Sequence, residues 1–213
     1  MSRRGAPPTT LPVLAGEDVV ELEETIYRVY KTAGPHPAGW QTFRDYGPLT
    51  GGRFDHHVPP RGSSTTRAVL YGAVNAGEEA AITTCLVEVF QATHVVDRFD
   101  QTPYLAAFDL TRPIRLLDLR HRWPGRAGTT QLLNSGPHSR SHRWSRKIYS
   151  SYDDIDGLIY PSAVAGIGGA NVILYERGSD ALPRRPLLNL PLTHTALALP
   201  LRRAADRFGF DLV

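Results

Sequence analysis

One carboxylate interrupts an apolar run in this chain. Residues 82–91 read ITTCLVEVFQ, and the single acid among them is Glu88. A lone carboxylate on such a helix either faces solvent or is aimed into a cleft. In a cleft it can do acid–base work, or stabilise positive charge that develops on a substrate. At 100° per residue, Ile82, Cys85, Leu86, Val89 and Phe90 fall on one stripe, which we read as the core face. Glu88 lies well off the centre of that stripe. Thr84 and Ala81, both small, stand one and two turns behind it. Small residues there leave room for a ligand, and they also suit an ordinary exposed face.

The stretch LTGGRFDHH, residues 49–57, offers a second group. Paired glycines let a backbone turn sharply or approach something closely. Arg53, just after them, can grip a phosphate or carboxylate with two parallel hydrogen bonds. A turn followed by a surface arginine is the plain alternative. His56 and His57 are adjacent, so in a strand they point to opposite faces and make a poor metal pair. Ser162 lies in YPSAVAGIGGAN, residues 160–171. The G-x-S-x-G setting of a nucleophilic serine is missing, so Ser162 reads as a hydrogen-bonding residue. Gly166, Gly168 and Gly169 resemble a phosphate cradle, but no helix follows them, and a glycine-rich hairpin loop is the simpler reading.

Elements must position these groups. The 213 residues suit one domain, and 41% hydrophobic with 21% charged residues permits a real core. No apolar run approaches the ~20 residues that span a bilayer, so no membrane segment is expected. The opening residues lack the apolar core of a signal peptide. Cys85 is the only cysteine, which excludes an internal disulfide and a zinc site of the usual Cys/His kind. Lys31 and Lys147 are the only lysines, and the net charge is just +3. With no helix-turn-helix or zinc-finger pattern, direct nucleic-acid binding is not expected.

Residues 1–20 are Pro- and Gly-rich and read as a flexible arm, with one domain over 21–213. ETIYRVYK (24–31) and RAVLYGAV (67–74) read as strands, separated by a long Gly/Pro-punctuated stretch. Asn75 and Glu78 form a capping-box pattern for a helix from about Ala76 to Ala92. Two strands flank the Thr-Arg-Pro turn within 104–120, and SHRWSRKIYSSY (141–152) reads as a short amphipathic helix. DGLIYPSAVAGIGGANVILYE (156–176) gives two strands joined by a Gly-rich loop, and a helix over 199–209 ends at Gly209. The strands and few helices do not alternate regularly, which indicates an α+β fold.

The order of the motifs carries more than each alone. Arg53 in GGRF, Tyr71 in VLYGAV, Glu88 in EEAAITTCLVEVF and Ser162 in DGLIYPSA, with NVILYE behind it, together resemble the RES domain. The resemblance covers residues 24–176, and YRVY and RWSRKIY fit it too. Phe54 stands where a tryptophan is common in that family. The resemblance implies a fold similar to ADP-ribosyltransferase toxins, with mixed sheets and a few flanking helices. It implies an NAD-consuming activity; the lone cysteine fits a reducing, cytoplasmic compartment, and the chemistry needs no metal. Many members are toxins of bacterial toxin–antitoxin pairs, held by a helix-turn-helix antitoxin. The arginine motif falls on Arg53, with Arg28 as the alternative.

NAD chemistry explains an isolated acid. Nicotinamide departs neutral from a cationic N-glycoside, and the ribose gains oxocarbenium character. Glu88 is the candidate to stabilise that cation. Arg53 would hold the pyrophosphate, Tyr71 would flank the nicotinamide or its ribose, and Ser162 would bond the nicotinamide side. The acceptor stays open. Water or phosphate gives a glycohydrolase or phosphorylase, and a protein side chain gives a mono-ADP-ribosyltransferase. A non-enzymatic binding module is the third possibility, and the intact Arg, Tyr, Glu and Ser argue against it.

Overall fold

A computed structural model describes residues 5–74, 77–162 and 169–213. The N-terminal strands are β1 (Val19–Leu22) and β2 (Ile26–Lys31), followed by the short β3 (Tyr46–Gly47) and β4 (Gly62–Ser63) and the central β5 (Val69–Val74). Next come α1 (Glu78–Phe90), β6 (Val95–Val96), β7 (Pro103–Phe108), β8 (Ile114–Asp118), and the short α2 (Trp123–Arg126) and α3 (Leu132–Ser135). The chain ends with α4 (His138–Ser151), β9 (Gly157–Pro161), β10 (Ala170–Tyr175), β11 (Leu188–Pro191), α5 (Ala198–Phe208) and β12 (Asp211–Leu212). The class is α+β in a single domain, as the sequence indicates.

Eight strands form one mixed sheet in the order β1-β8-β9-β10-β5-β2-β7-β11. β8 and β9 run parallel, and the other described ladders of that sheet are antiparallel. Strand alternation divides the apolar residues between its faces. On β10, Ile173 and Tyr175 join one core while Val172 and Leu174 join another. Trp144 and Ile148 of α4 pack with Trp123 and Leu158 over the β8–β10 half. Ile82 and Leu86 of α1 and Leu201 of α5 pack on Leu105 of β7. The register places both of these cores on one face of the sheet. The opposite face is filled by Ile26, Phe108, Ile114 and Leu116, with Trp40 and Phe43 packed against them.

A seam runs between the two halves. β5 meets β10 over six registered pairs, and β2 meets β7 over six, but among the described residues β2 and β5 share only Tyr27↔Ala73. The strands touch closely there and then diverge. A Cβ on Gly72 would lie 2.5 Å from Ile26 Cγ2 and 3.0 Å from the Tyr27 carbonyl oxygen, so only glycine fits. α1 seals the fork from one side, where Cys85 donates its thiol to the Tyr27 carbonyl at 3.1 Å. Burial pushes that thiol up to about 12, so it stays a neutral donor.

Some expectations change. The described part of the N-terminal arm is tied down: Leu11 is buried, Trp144 Nε1 donates to the Gly5 carbonyl at 3.2 Å, and Tyr152 Oη donates to the Pro12 carbonyl at 2.6 Å. β1 already begins at Val19, before the expected boundary at residue 21. Val89, assigned to the core stripe, is 42% exposed, because on that side α1 faces the seam rather than packed side chains. α4 starts three residues earlier than the sequence pattern suggests. Gly209 follows α5 with φ 66°, as a C-terminal cap. Asn75 and the glycines 166 and 168 fall outside the described residues, as does the side chain of Glu78, so the capping pair does too.

Replacing Gly72 with alanine should lower stability by ~1–3 kcal/mol, the usual cost of an extra group in a packed site. Urea unfolding of Gly72→Ala measures it, and an unchanged midpoint would show that the strands can part without cost.

Candidate active site

A cavity of about 220 Å³ opens at the seam, with Arg28, Arg53, Tyr71, Glu88, His138 and Tyr160 in its wall. Arg28 and Val29 are consecutive on β2, yet both reach it. In a continuous sheet they would point to opposite faces. The fork between β2 and β5 removes that restriction, so the room comes from strand divergence and not from small side chains on α1. Ala81 and Thr84, expected to clear space beneath Glu88, are buried.

Glu88 sits on the last turn of α1 and is partly exposed. Its Oε1 accepts two hydrogen bonds, from Ser162 Oγ at 2.6 Å and Asn171 Nδ2 at 2.8 Å. Gln91 Nε2 lies 3.4 Å from Oε2. Among the described residues the carboxylate is thus oriented through Oε1, and Oε2 has only a long contact. Ser162 follows β9 directly, and Asn171 is on β10 opposite Tyr160 and Ala73. The serine acts as the hydrogen-bonding residue that its sequence setting indicates.

Asn171 escaped the sequence reading. The strand ANVILY is otherwise apolar, and Asn171 shares the parity of Ile173 and Tyr175. An amide at a core-facing position was the available signal, since a buried polar group needs a partner. Tyr160 and His138 were also missed. Tyr160 packs on Phe54, with ring centroids 4.8 Å apart. Burial, with Glu88 and Tyr71 nearby, pushes its hydroxyl far above the usual tyrosine range.

Arg53 reaches the cavity from a clamped turn. Its Nη1 donates to the Gly136 carbonyl at 2.8 Å, and burial lowers its pKa. Gly52 is required because a Cβ there would meet the Tyr71 hydroxyl at 2.8 Å. Tyr71 Oη donates to the Arg53 carbonyl at 3.1 Å, and burial raises its pKa strongly, so it stays neutral. Phe54 closes the turn at φ 59°, a strained conformation held by complete burial. α4 fixes the same turn: His138 Nδ1 bonds the Thr50 carbonyl at 2.7 Å, His142 Nε2 the Gly52 carbonyl at 2.6 Å, and Ser145 Oγ the Phe54 carbonyl at 2.6 Å.

Arg28 is differently employed. Nη1 and Nη2 donate to the Trp40 and Thr42 carbonyls, each at 2.9 Å. Burial lowers its pKa to about 10, which leaves it a cation at neutral pH. Both candidate arginines therefore line the cavity, but Arg28 also ties down the 40–42 loop.

The turn rests on Asp55, which is fully buried. It accepts from Arg44 Nη2 at 2.9 Å, the Leu49 N–H at 2.7 Å, the His57 N–H at 3.0 Å and the His57 ring at 2.7 Å. Burial alone would raise its pKa, but these bonds and the Arg44 charge outweigh it and hold the carboxyl well below the usual range. His57 is thus a structural ligand of Asp55, and His56 stacks on Tyr149 at 4.4 Å. Among the described residues no group of three or more His, Cys, Asp or Glu could hold a metal.

A carboxyl with a lowered native pKa adds stability above its unfolded value of ~3.9, and that stability is lost as pH falls toward the native value. Asp55→Ala should cost about 3 kcal/mol at neutral pH, because it strips a partner from half-buried Arg44 and buried His57. Its unfolding free energy should also fall less steeply than wild type between ~pH 4 and lower values. Chemical denaturation at several pH values tests both, and parallel acid profiles would remove Asp55 from this role.

The RES domain family model matches residues 25–200, which include every side chain of the cavity named above. Comparison with curated proteins finds no match. Among solved structures, a chain in the crystal structure of the M. tuberculosis MbcT-MbcA toxin-antitoxin complex is similar. It is 20% identical, covers 88% of this chain and 92% of its own, and superposes with a TM-score of 0.55. That likeness concerns the fold. The family match spans most of the sequence and the whole site, and the chain belongs to the RES domain family.

Proposed function

We propose that the cavity binds NAD as substrate and that Glu88 promotes cleavage between ribose C1′ and the nicotinamide nitrogen. The observation that carries this reading is the carboxylate oriented by Ser162 and Asn171 in a cavity shared with two arginines. As the glycosidic bond breaks, its electron pair moves to the nicotinamide nitrogen, which becomes neutral. The ribose is left with oxocarbenium character, and the fixed charge of Glu88 stabilises it without reorganising. The oxygen with only a long protein contact, Oε2, is the one available to a ribose hydroxyl.

The residues suit the rest of the substrate. Among the described residues Arg53 gives one hydrogen bond to the protein, which leaves the rest of its fork for the pyrophosphate. Neutral Tyr71 and Tyr160 offer aromatic faces to the nicotinamide. The cavity is smaller than the ~300–1,000 Å³ of whole ligand sites, so it takes the reacting end of a dinucleotide and leaves the remainder at the rim. An ADP-ribosyl acceptor on a protein would use the same bond cleavage, but no observation favours it.

A cytoplasmic toxin role is part of the same proposal. Unchecked NAD consumption would harm the cell that makes the enzyme. A dedicated inhibitor, such as a helix-turn-helix antitoxin, is then required. The similarity of the fold to a chain from a toxin-antitoxin complex supports this.

Glu88→Gln should fold normally and lose NAD turnover by ~10²-fold or more. Near-wild-type turnover in the folded variant would remove Glu88 from the mechanism. Expression of the wild type alone should arrest growth, and Glu88→Gln should not; equal toxicity would place the harm elsewhere.

Arg53→Ala should weaken NAD binding about tenfold, the value of one charged hydrogen-bonding partner. Arg28→Ala should mainly lower stability. Titration calorimetry and thermal unfolding on both variants separate the two, and the reverse pattern would exchange their roles.

A further inference from the structure

We infer that His138 is the proton acceptor for the group that attacks ribose C1′, and that this group is water. The inference rests on the NAD-cleaving reading above. It follows from the hydrogen bonds that fix the imidazole and from the chemistry of the cavity wall.

Nδ1 of His138 lies 2.7 Å from the Thr50 carbonyl oxygen. A carbonyl only accepts, so Nδ1 carries the hydrogen. In the neutral ring Nε2 is then an unprotonated acceptor. His138 is partly exposed and belongs to the cavity wall. His142, one turn further along α4 and 6.2 Å away ring to ring, is fixed the other way. Its Nε2 donates to the Gly52 carbonyl at 2.6 Å, and it is not in the wall.

Among the described residues, the remaining wall offers almost no other base. Arg28 and Arg53 are cations. Tyr71, Tyr160 and Cys85 are held protonated by burial. Asn171 and Gln91 are amides. That leaves Glu88 and His138. Glu88 is oriented by two donors and faces the developing cation, so a second acceptor is needed for the nucleophile's proton. The charged and titratable groups around the same cavity are therefore Arg28 on β2, Arg53 on the turn, Tyr71 on β5, Cys85 and Glu88 on α1, and Tyr160 on β9, with His142 behind.

The step balances as follows. Water oxygen forms the new bond to C1′, the bond to nicotinamide breaks with its pair going to the ring nitrogen, and one water proton passes to His138 Nε2. The imidazolium returns that proton to solvent. Inorganic phosphate is already an anion and attacks without surrendering a proton, so phosphorolysis would not need this base.

The test measures NAD consumption by wild type, His138→Ala and His138→Gln across pH, with and without inorganic phosphate, together with NAD binding. Glutamine keeps a donor for the Thr50 carbonyl and so controls for the turn. Both variants should lose hydrolysis by about 10²-fold, the low end for general-base catalysis, with NAD affinity retained. The wild-type hydrolysis rate should fall toward acid pH with a one-proton limb that is absent from His138→Gln. Wild-type hydrolysis and an unchanged limb in His138→Gln would overturn the inference. So would a wild type that consumes NAD only when phosphate is present. A folded wild type inert toward NAD under all conditions would instead overturn the NAD reading, and this inference with it.

Discussion

The contact between β2 and β5 is the constraint from which the site follows. Two strands that paired along their length would leave no space at the centre of the sheet. Here one registered pair, Tyr27↔Ala73, holds them together, and glycine at 72 lets them touch. Beyond that point, on the face that carries the long helices, each strand belongs to its own half of the molecule, with its own helices and its own core, while the opposite face stays one shared core. At the fork, Cys85 of α1 adds a thiol donor to the Tyr27 carbonyl and so ties the helix to β2. The candidate site lies where the sheet is least continuous.

The second requirement is rigidity at that opening. The turn carrying Arg53 has no regular structure, yet its backbone is bonded on several sides. Asp55 fixes it from below, and three side chains of α4 fix carbonyls at residues 50, 52 and 54. They range from the buried Ser145–Phe54 bond to the exposed His138–Thr50 bond, and together they make the loop behave like an element. The strained backbone at Phe54 is sustained by the same surroundings. Opposite it, Glu88 is held by donors from two different strand ends. Both charged groups are therefore preorganised, which matters most for a reaction that develops positive charge.

Much of this was legible in the sequence. Period-two and period-3.6 patterns located the principal strands and helices, because one face of each is buried. The isolated acid and the paired glycines marked two sides of the cavity. What could not be read was the division of the sheet, since strand order depends on contacts distant in sequence. The exposure of Val89 is an example: helical spacing alone assigns it to the core, and only the fork beneath α1 explains its position. Asn171 was hidden for a related reason. Its partner Glu88 is 83 residues away, and a single amide in an apolar strand does not name its partner. His138 was overlooked because its bond to Thr50 spans 88 residues.

α4 also serves as a shared beam. One side of it grips the turn that carries Arg53, and Trp144 and the Tyr152 that follows it grip the N-terminal segment at Gly5 and Pro12. The two ends of that linkage are far apart in sequence but joined through a single rigid helix. The start of the chain is therefore part of the scaffold of the site. A tag or fusion attached there pulls directly on the beam, and trimming back past Pro12 strips acceptors from both aromatic donors. The C-terminus is held elsewhere, by β12 pairing with β6. Its bonds join Val213 to Val96 and Arg98 and involve no residue of α4, so that end does not act on the beam.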